Sequence, residues 1–137
     1  MPLLQVKVIQ GTLSQAQKQQ VIQKFTDTMA SVGGKTIRPL TWVLLEEVKS
    51  GEWGIGGKEM TTYDVQVKVI EGVFSPGQKQ QIIQKLTDTM SSIEGKGIRP
   101  ASWVKVEEVK SGEWGIAGRP MTTQEIMALA AESYDRF

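Results

Sequence analysis

With 137 residues, 39% of them hydrophobic and 23% charged, the chain has the makeup of one compact globular domain. A net charge of +1 provides no strong field for nucleic acid or an anionic membrane, so neither is expected as a partner, and no apolar run approaches the ~20 residues of a membrane span. The absence of Cys and His excludes disulfides, thiolate catalysis and Cys- or His-based metal sites, and leaves acid–base work to carboxylates, Lys, Tyr or an α-amino group, of which only the last ordinarily titrates near neutrality, at ~8.

The chain opens Met1-Pro2. Leu4, Val6 and Val8 then alternate with Gln5 and Lys7, the period of a half-buried strand. This stretch lacks the apolar segment of a secretion signal, so a cytoplasmic protein is expected. Ser14 and Gln17 fit a capping box, and Val21, Ile22, Phe25, Met29 and Val32 follow on one helical face until Gly33-Gly34 ends the run. After Arg38-Pro39, residues Thr41 to Val48 read as a second strand, and two parallel strands joined by a helix form a right-handed βαβ unit. Trp53-Gly-Ile-Gly-Gly57 then predicts a tight hairpin or bulge.

From residue 63 the chain repeats itself at a constant offset of 61. Residues 2–62 and 63–123 are identical at 40 of 61 positions, without a gap. Ser75, Pro76 and Gln78 start the second helix, which carries Ile82, Ile83, Leu86, Met90 and Ile93 and stops at Gly95. Arg99-Pro100, the strand Ser102 to Val109 and Trp114-Gly-Ile-Ala-Gly118 complete the second copy. Thr122 and Glu125 then cap a last helix, striped with Ile126, Leu129, Ala130 and Tyr134, that has no counterpart in the first copy.

The predicted organisation is therefore a first β-α-β repeat with Pro2 over 1–62 and a second, with the C-terminal helix, over 63–137. Met60-Thr61-Thr62 joins them without a flexible linker, so the two form one pseudo-twofold unit. A unit of ~60 residues buries too little surface to stand alone. The expected fold class is α+β, a four-stranded sheet with two helices on one face. Val43, Leu45, Val104 and Val106 alternate with Trp42, Leu44, Trp103 and Lys105. One set meets the helices and the other is left for neighbouring subunits, so an oligomer is expected.

Few residues offer chemistry. Removal of Met1 would free a secondary amine on Pro2, a base or nucleophile once burial or a nearby cation lowers its pKa; otherwise Pro2 simply begins a strand. Arg38 and Arg99, at the helix-to-strand junctions, could clamp a carboxylate or be solvated cations near a helix end. Trp53 and Trp114 could wall an apolar pocket or pack in a core. Trp42 and Trp103 read as packing residues. Glu46-Glu47 and Glu107-Glu108 point to opposite strand faces and read as surface or structural charges. The glycine-rich stretches lack the Lys-Ser/Thr and helix of a phosphate loop.

Met1-Pro2 leading into a strand, Gly11 closing it, the helix from about Ser14, and the tract from Thr41 to Gly57 together resemble the tautomerase superfamily. The likeness is to a fused, tandem form of its 4-oxalocrotonate tautomerase subgroup and extends over residues 2–123. The resemblance implies a tautomerase/MIF-like fold, a homotrimer of fused chains, no metal or organic cofactor, and a small enol or keto acid as substrate. It implies Pro2 as catalytic base and Trp53 and Trp114 at the aromatic pocket position; Arg38 or Arg99, four residues before the family's second arginine position, is the expected holder of the substrate carboxylate, from another copy or subunit. Tyr63 stands where the second copy would need proline, which implies one competent site per chain. Thr12 or Leu13, and Trp42 with Trp103, stand where the subgroup carries its arginines. The expected activity is keto–enol isomerisation. Hydration or dehalogenation of unsaturated acids, or a catalytically silent oligomeric binding protein, are the alternatives.

Overall fold

Strand alternation seeds the fold. The computed structural model describes residues 1–135, with only the backbone described at Lys96, Ile98, Arg99 and Asp135. The first strand, β1 (Leu3–Ile9), buries Leu4, Val6 and Val8 completely and turns Leu3, Gln5 and Lys7 to the other face. Helix α1 (Gln15–Gly33) starts where expected: the Ser14 hydroxyl accepts from Gln17 N at 3.1 Å and the Gln17 side chain accepts from Ser14 N at 2.9 Å. It ends at Gly34, whose φ of 98° is open to glycine and costly for other residues.

A 3₁₀ turn over Lys35–Leu40, containing Arg38-Pro39, leads into β2 (Trp42–Val48), which pairs parallel to β1 from Leu3↔Trp42 to Ile9↔Val48. The first glycine-rich tract forms the hairpin β3 (Gly54–Ile55) and β4 (Lys58–Glu59). The second copy gives β5 (Tyr63–Ile70), α2 (Pro76–Glu94), a 3₁₀ turn over Lys96–Ala101 and β6 (Trp103–Val109). The hairpin β7 (Trp114–Ile116) and β8 (Arg119–Met121) follows, then α3 (Thr123–Asp135).

The four long strands form one mixed sheet in the order β2-β1-β5-β6. Its central pair is antiparallel, from Leu3↔Lys68 through Lys7↔Asp64 to Val8↔Tyr63. Shifting either of the first two pairs by the 61-residue repeat yields the other, so the register itself is pseudo-twofold. The capping glutamines reinforce this. Gln17 Nε2 donates to Ile93 O (3.5 Å) and Gln78 Nε2 to Val32 O (3.1 Å), each reaching the end of the other copy's helix.

The helices cover one face of the sheet. Val21, Phe25 and Met29 of α1 and Ile82, Leu86 and Met90 of α2 are fully buried over the inward valines, each contributing about 1.5–3 kcal/mol of burial free energy. Val43, Leu45, Val104 and Val106 join this core, which resolves which face of the second strand in each copy meets the helices. The opposite face carries exposed Trp42, Leu44 and Trp103. The second glutamate of each pair makes a surface ion pair with a helix lysine: Lys18 bonds Glu47 and Lys79 bonds Glu108, both at 3.0 Å. Among the described residues no helix is long and apolar enough to cross a membrane.

Candidate active site

The start of the chain lies at the junction of the two copies. Pro2 is buried, and its carbonyl accepts a hydrogen bond from Trp42 N at 2.9 Å, which ties the chain's first residues to the head of β2. Above it opens a cavity of about 500 Å³. From the first copy come Pro2, Leu40 and Trp42; from the second come Trp114, Ile116 and Ala117. Leu129 of α3 closes one side. No charged side chain lines this cavity among the described residues.

With Met1 in place the Pro2 nitrogen is an amide, and the free amine belongs to Met1. That amine donates to the Leu40 carbonyl, and burial lowers its pKa to about 5. The cause is desolvation: an apolar surround disfavours the ammonium form.

A second cavity, of about 720 Å³, occupies the equivalent place in the other copy. Tyr63 replaces Pro2, Trp103 replaces Trp42, Ala101 replaces Leu40 and Trp53 replaces Trp114. The aromatic walls thus cross over, each hairpin tryptophan serving the other copy's strand end. The chemistry differs. Lys7, Asp64 and Lys105 line the second cavity, and Lys105 bridges Asp64 at 2.7 Å while lying over the Trp103 ring at 5.6 Å. Thr62 stands where Met1 does, and its hydroxyl donates to Ala101 O at 3.1 Å. Tyr63 is 1% exposed, and its hydroxyl is buried without a hydrogen-bond partner.

The residues singled out from sequence divide between these places. Pro2 and Trp114 share the apolar cavity, and Trp53 lines the charged one. Arg38 lines neither; its guanidinium bonds Asp27 of α1 at 2.8 Å on the surface. The side chain of Arg99 lies outside the described residues. Trp42 and Trp103, expected to pack, are exposed and each edges one cavity. Leu40, Ile116, Ala117 and Leu129 went unmarked as site residues. The stripe on the last helix and the Ala that replaces Gly at 117 were the available signals. Among the described residues, no three or more acidic side chains converge as a metal site would require.

Comparison with solved structures gives the same architecture repeatedly. A fused 4-OT solved as an asymmetric trimer superposes with a TM-score of 0.80 at 22% identity, covering 91% of this chain and 98% of that one. A native fused 4-OT gives 0.78 at 23% identity, with 87% and 95% covered. A member of the cis-3-chloroacrylic acid dehalogenase family gives 0.82 at 17% identity, with 99% and 100% covered. No curated protein sequence matches the chain. At these identities the structures establish the fold. The family described as tautomerase enzyme matches residues 2–63 and again 65–124, nearly the whole of both copies. The chain therefore belongs to the tautomerase family.

Proposed function

We propose that the chain, once Met1 is removed, is a cofactor-independent keto–enol tautomerase of small enol or keto acids, with the Pro2 amine as general base. The observation that carries this reading is the apolar cavity walled by Trp42 and Trp114 at the chain's start, where burial lowers the pKa of the Met1 amine to about 5 and would act in the same sense on a Pro2 amine. A neutral secondary amine takes the enol O–H proton and returns it to carbon as the ketone forms. No atom is gained or lost. The indoles and Leu129 exclude water, which keeps the amine uncharged between turnovers.

The substrate carboxylate needs a cation, and none lines this cavity among the described residues. In this reading Arg38 or Arg99 of a neighbouring chain supplies it and polarises the developing oxyanion. A homotrimer supports that supply. Solved fused 4-OT relatives are trimers, the free sheet face exposes Trp42, Leu44 and Trp103, and β2 and β6 are unpaired sheet edges. Units 1–62 and 63–137 then act as one half-catalytic pair, with a single amine per chain.

The likeness to a dehalogenase-family member supports a second reading, hydration or dehalogenation of an unsaturated acid on the same amine. That chemistry needs a group to activate water. This chain's cavity lining holds no carboxylate among the described residues, so in this second reading the activating group, like the cation, comes from a neighbouring chain.

The test combines intact mass with turnover of enol substrates. Mature protein lacking Met1 should ketonise enols in stopped assays, and Pro2→Ala should lose that activity. A Pro2→Ala enzyme with full turnover, or a mature chain that keeps Met1 and is still fully active, overturns the proposal.

A further inference from the structure

We propose that the charged cavity of the second copy is a binding site for an aromatic α-amino acid, taken up as its zwitterion and not transformed. This site goes beyond the reading of Pro2 as base and does not depend on it, because the second copy has no chain start of its own.

Three features of the cavity point to that ligand. The first is a row across the sheet. Trp103 pairs with Asp64 on the neighbouring strand, and Asp64 pairs with Lys7 on the strand beyond; all three line the cavity. Neighbouring strands lie about 4.8 Å apart, so this row sets an indole and an ammonium on backbones about 10 Å apart with a carboxylate between them. The second is charge. The lining residues include two cations, Lys7 and Lys105, and two anions, Asp64 and Glu52, which balance. Lys105 and Asp64 satisfy each other at 2.7 Å. The side chains of Lys7 and Glu52 have no hydrogen-bond or ion-pair partner among the described residues. A zwitterion complements both at once, whereas an ion of one sign complements one and meets the like charge of the other.

The third is the pair of indoles. Trp53 enters from the first copy's hairpin, and Trp103 stands at the head of β6 with 67% of its surface exposed. Both border a space of about 720 Å³, in the range of small-molecule sites, and offer contact to an aryl side chain. The Lys105 ammonium over the Trp103 ring, held by Asp64, already shows how this cavity receives a cationic group. No turnover accompanies binding. Tyr63 is internal where Pro2 leads the first copy, so no secondary amine arises there. The Pro2 cavity is no substitute site. No charged side chain lines it among the described residues, so a zwitterion would lose the hydration of its ammonium with no carboxylate to receive it. One amino acid per chain follows.

Titration calorimetry on the mature oligomer compares L-phenylalanine with N-acetyl-L-phenylalanine, which lacks the ammonium, and 2-phenylethylamine, which lacks the carboxylate. L-Phenylalanine should bind once per chain and about tenfold more tightly than either. Lys7→Gln should weaken L-phenylalanine about tenfold and leave 2-phenylethylamine unmoved, whereas Glu52→Gln should weaken both. Trp53→Ala should also weaken L-phenylalanine about tenfold, which places the ligand in this cavity. No binding of L-phenylalanine, equal affinity for all three compounds, or a Lys7→Gln protein that binds L-phenylalanine as tightly as the parent overturns the proposal. The readout is binding alone, so a chain without enol turnover that still selects the zwitterion would sink the tautomerase reading and leave this site standing.

Discussion

The two cavities began as one design and now differ in floor, charge and cover. Both keep a strand-head tryptophan and a hairpin tryptophan from the opposite copy. Around Pro2 the remainder is apolar: Leu3 and Leu40 line the space, with Leu129 added by a helix the first copy lacks. Around Tyr63 the residue equivalent to Leu3 is Asp64, and the one equivalent to Leu44 is Lys105, joined to it as an ion pair. Fusion explains the asymmetry. In the proposed reading the amine is that of Pro2, and only its cavity gains from dry walls. The other copy, with an internal Tyr63 amide, is free to take charge into its cavity.

The helix ends show the same compensation in packing. A Cβ on Gly33 would come within 2.7 Å of both Ile37 and Phe74 side chains, so glycine is required where Phe74 fills the space. In the other copy the equivalent positions hold Glu94 and Leu13, a larger residue beside a smaller one. The Glu94 carboxylate oxygens are buried without hydrogen-bond partners, and burial raises the pKa to about 7.

The comparison can be broken most violently at the amine. Pro2→Ala should lower kcat on enol substrates by about 10²–10⁴-fold, the usual range for a positioned base, as measured by ketonisation rates. Next come the crossed tryptophans. Trp114→Ala should cost about tenfold more in kcat/KM than Trp53→Ala, because only Trp114 faces the amine's cavity. Equal losses would mean that both cavities turn over substrate.

Stability predictions follow in smaller steps. Gly33→Ala should destabilise by about 1–3 kcal/mol in denaturant unfolding, overpacking against Phe74 outweighing the gain in helix propensity. A Gly33→Ala/Phe74→Leu double variant should recover most of that loss. Glu94 binds a proton in the folded chain up to about pH 7 but releases it near 4.5 when unfolded. The folded state therefore holds more protons between those values, and stability falls as pH rises through that window. Glu94→Gln should raise the melting temperature at pH 8 by about 4 °C and leave it unchanged at pH 4. The smallest effect concerns Ala117, whose φ of 53° is the one left-handed value at a non-glycine among the described residues, where the first copy has Gly56. Ala117→Gly should relieve strain of about 1 kcal/mol while removing a methyl group from the Pro2 cavity wall.

Most of the fold was legible because its signals are local and occur twice. The capping boxes, the helical stripes, the alternating valines and the glycine stops each recur 61 residues on. The 3₁₀ turns were not legible. Arg38-Pro39 read as a bare junction, since a six-residue turn leaves no period in the sequence. The Arg38–Asp27 pair escaped because it joins a helix to the turn beyond it, across the break at Gly33-Gly34 where helical spacing no longer predicts neighbours. Pro2 and Trp114 were each legible as candidates, but that the hairpin tryptophans cross to the other copy shows only in the fold. Leu40, Ile116, Ala117 and Leu129 could not, because their side chains meet only after β7–β8 and α3 fold back across the first copy.

The central claim is that the chain's first mature nitrogen is an unblocked secondary amine kept uncharged by dry surroundings. ¹⁵N NMR titration of Pro2-labelled mature protein measures this directly. The account predicts a single titration well below the ~8 of an exposed α-amine, with kcat/KM rising over the same pH range. A Pro2 nitrogen that is still acylated, or one that titrates at or above the exposed value, would contradict it.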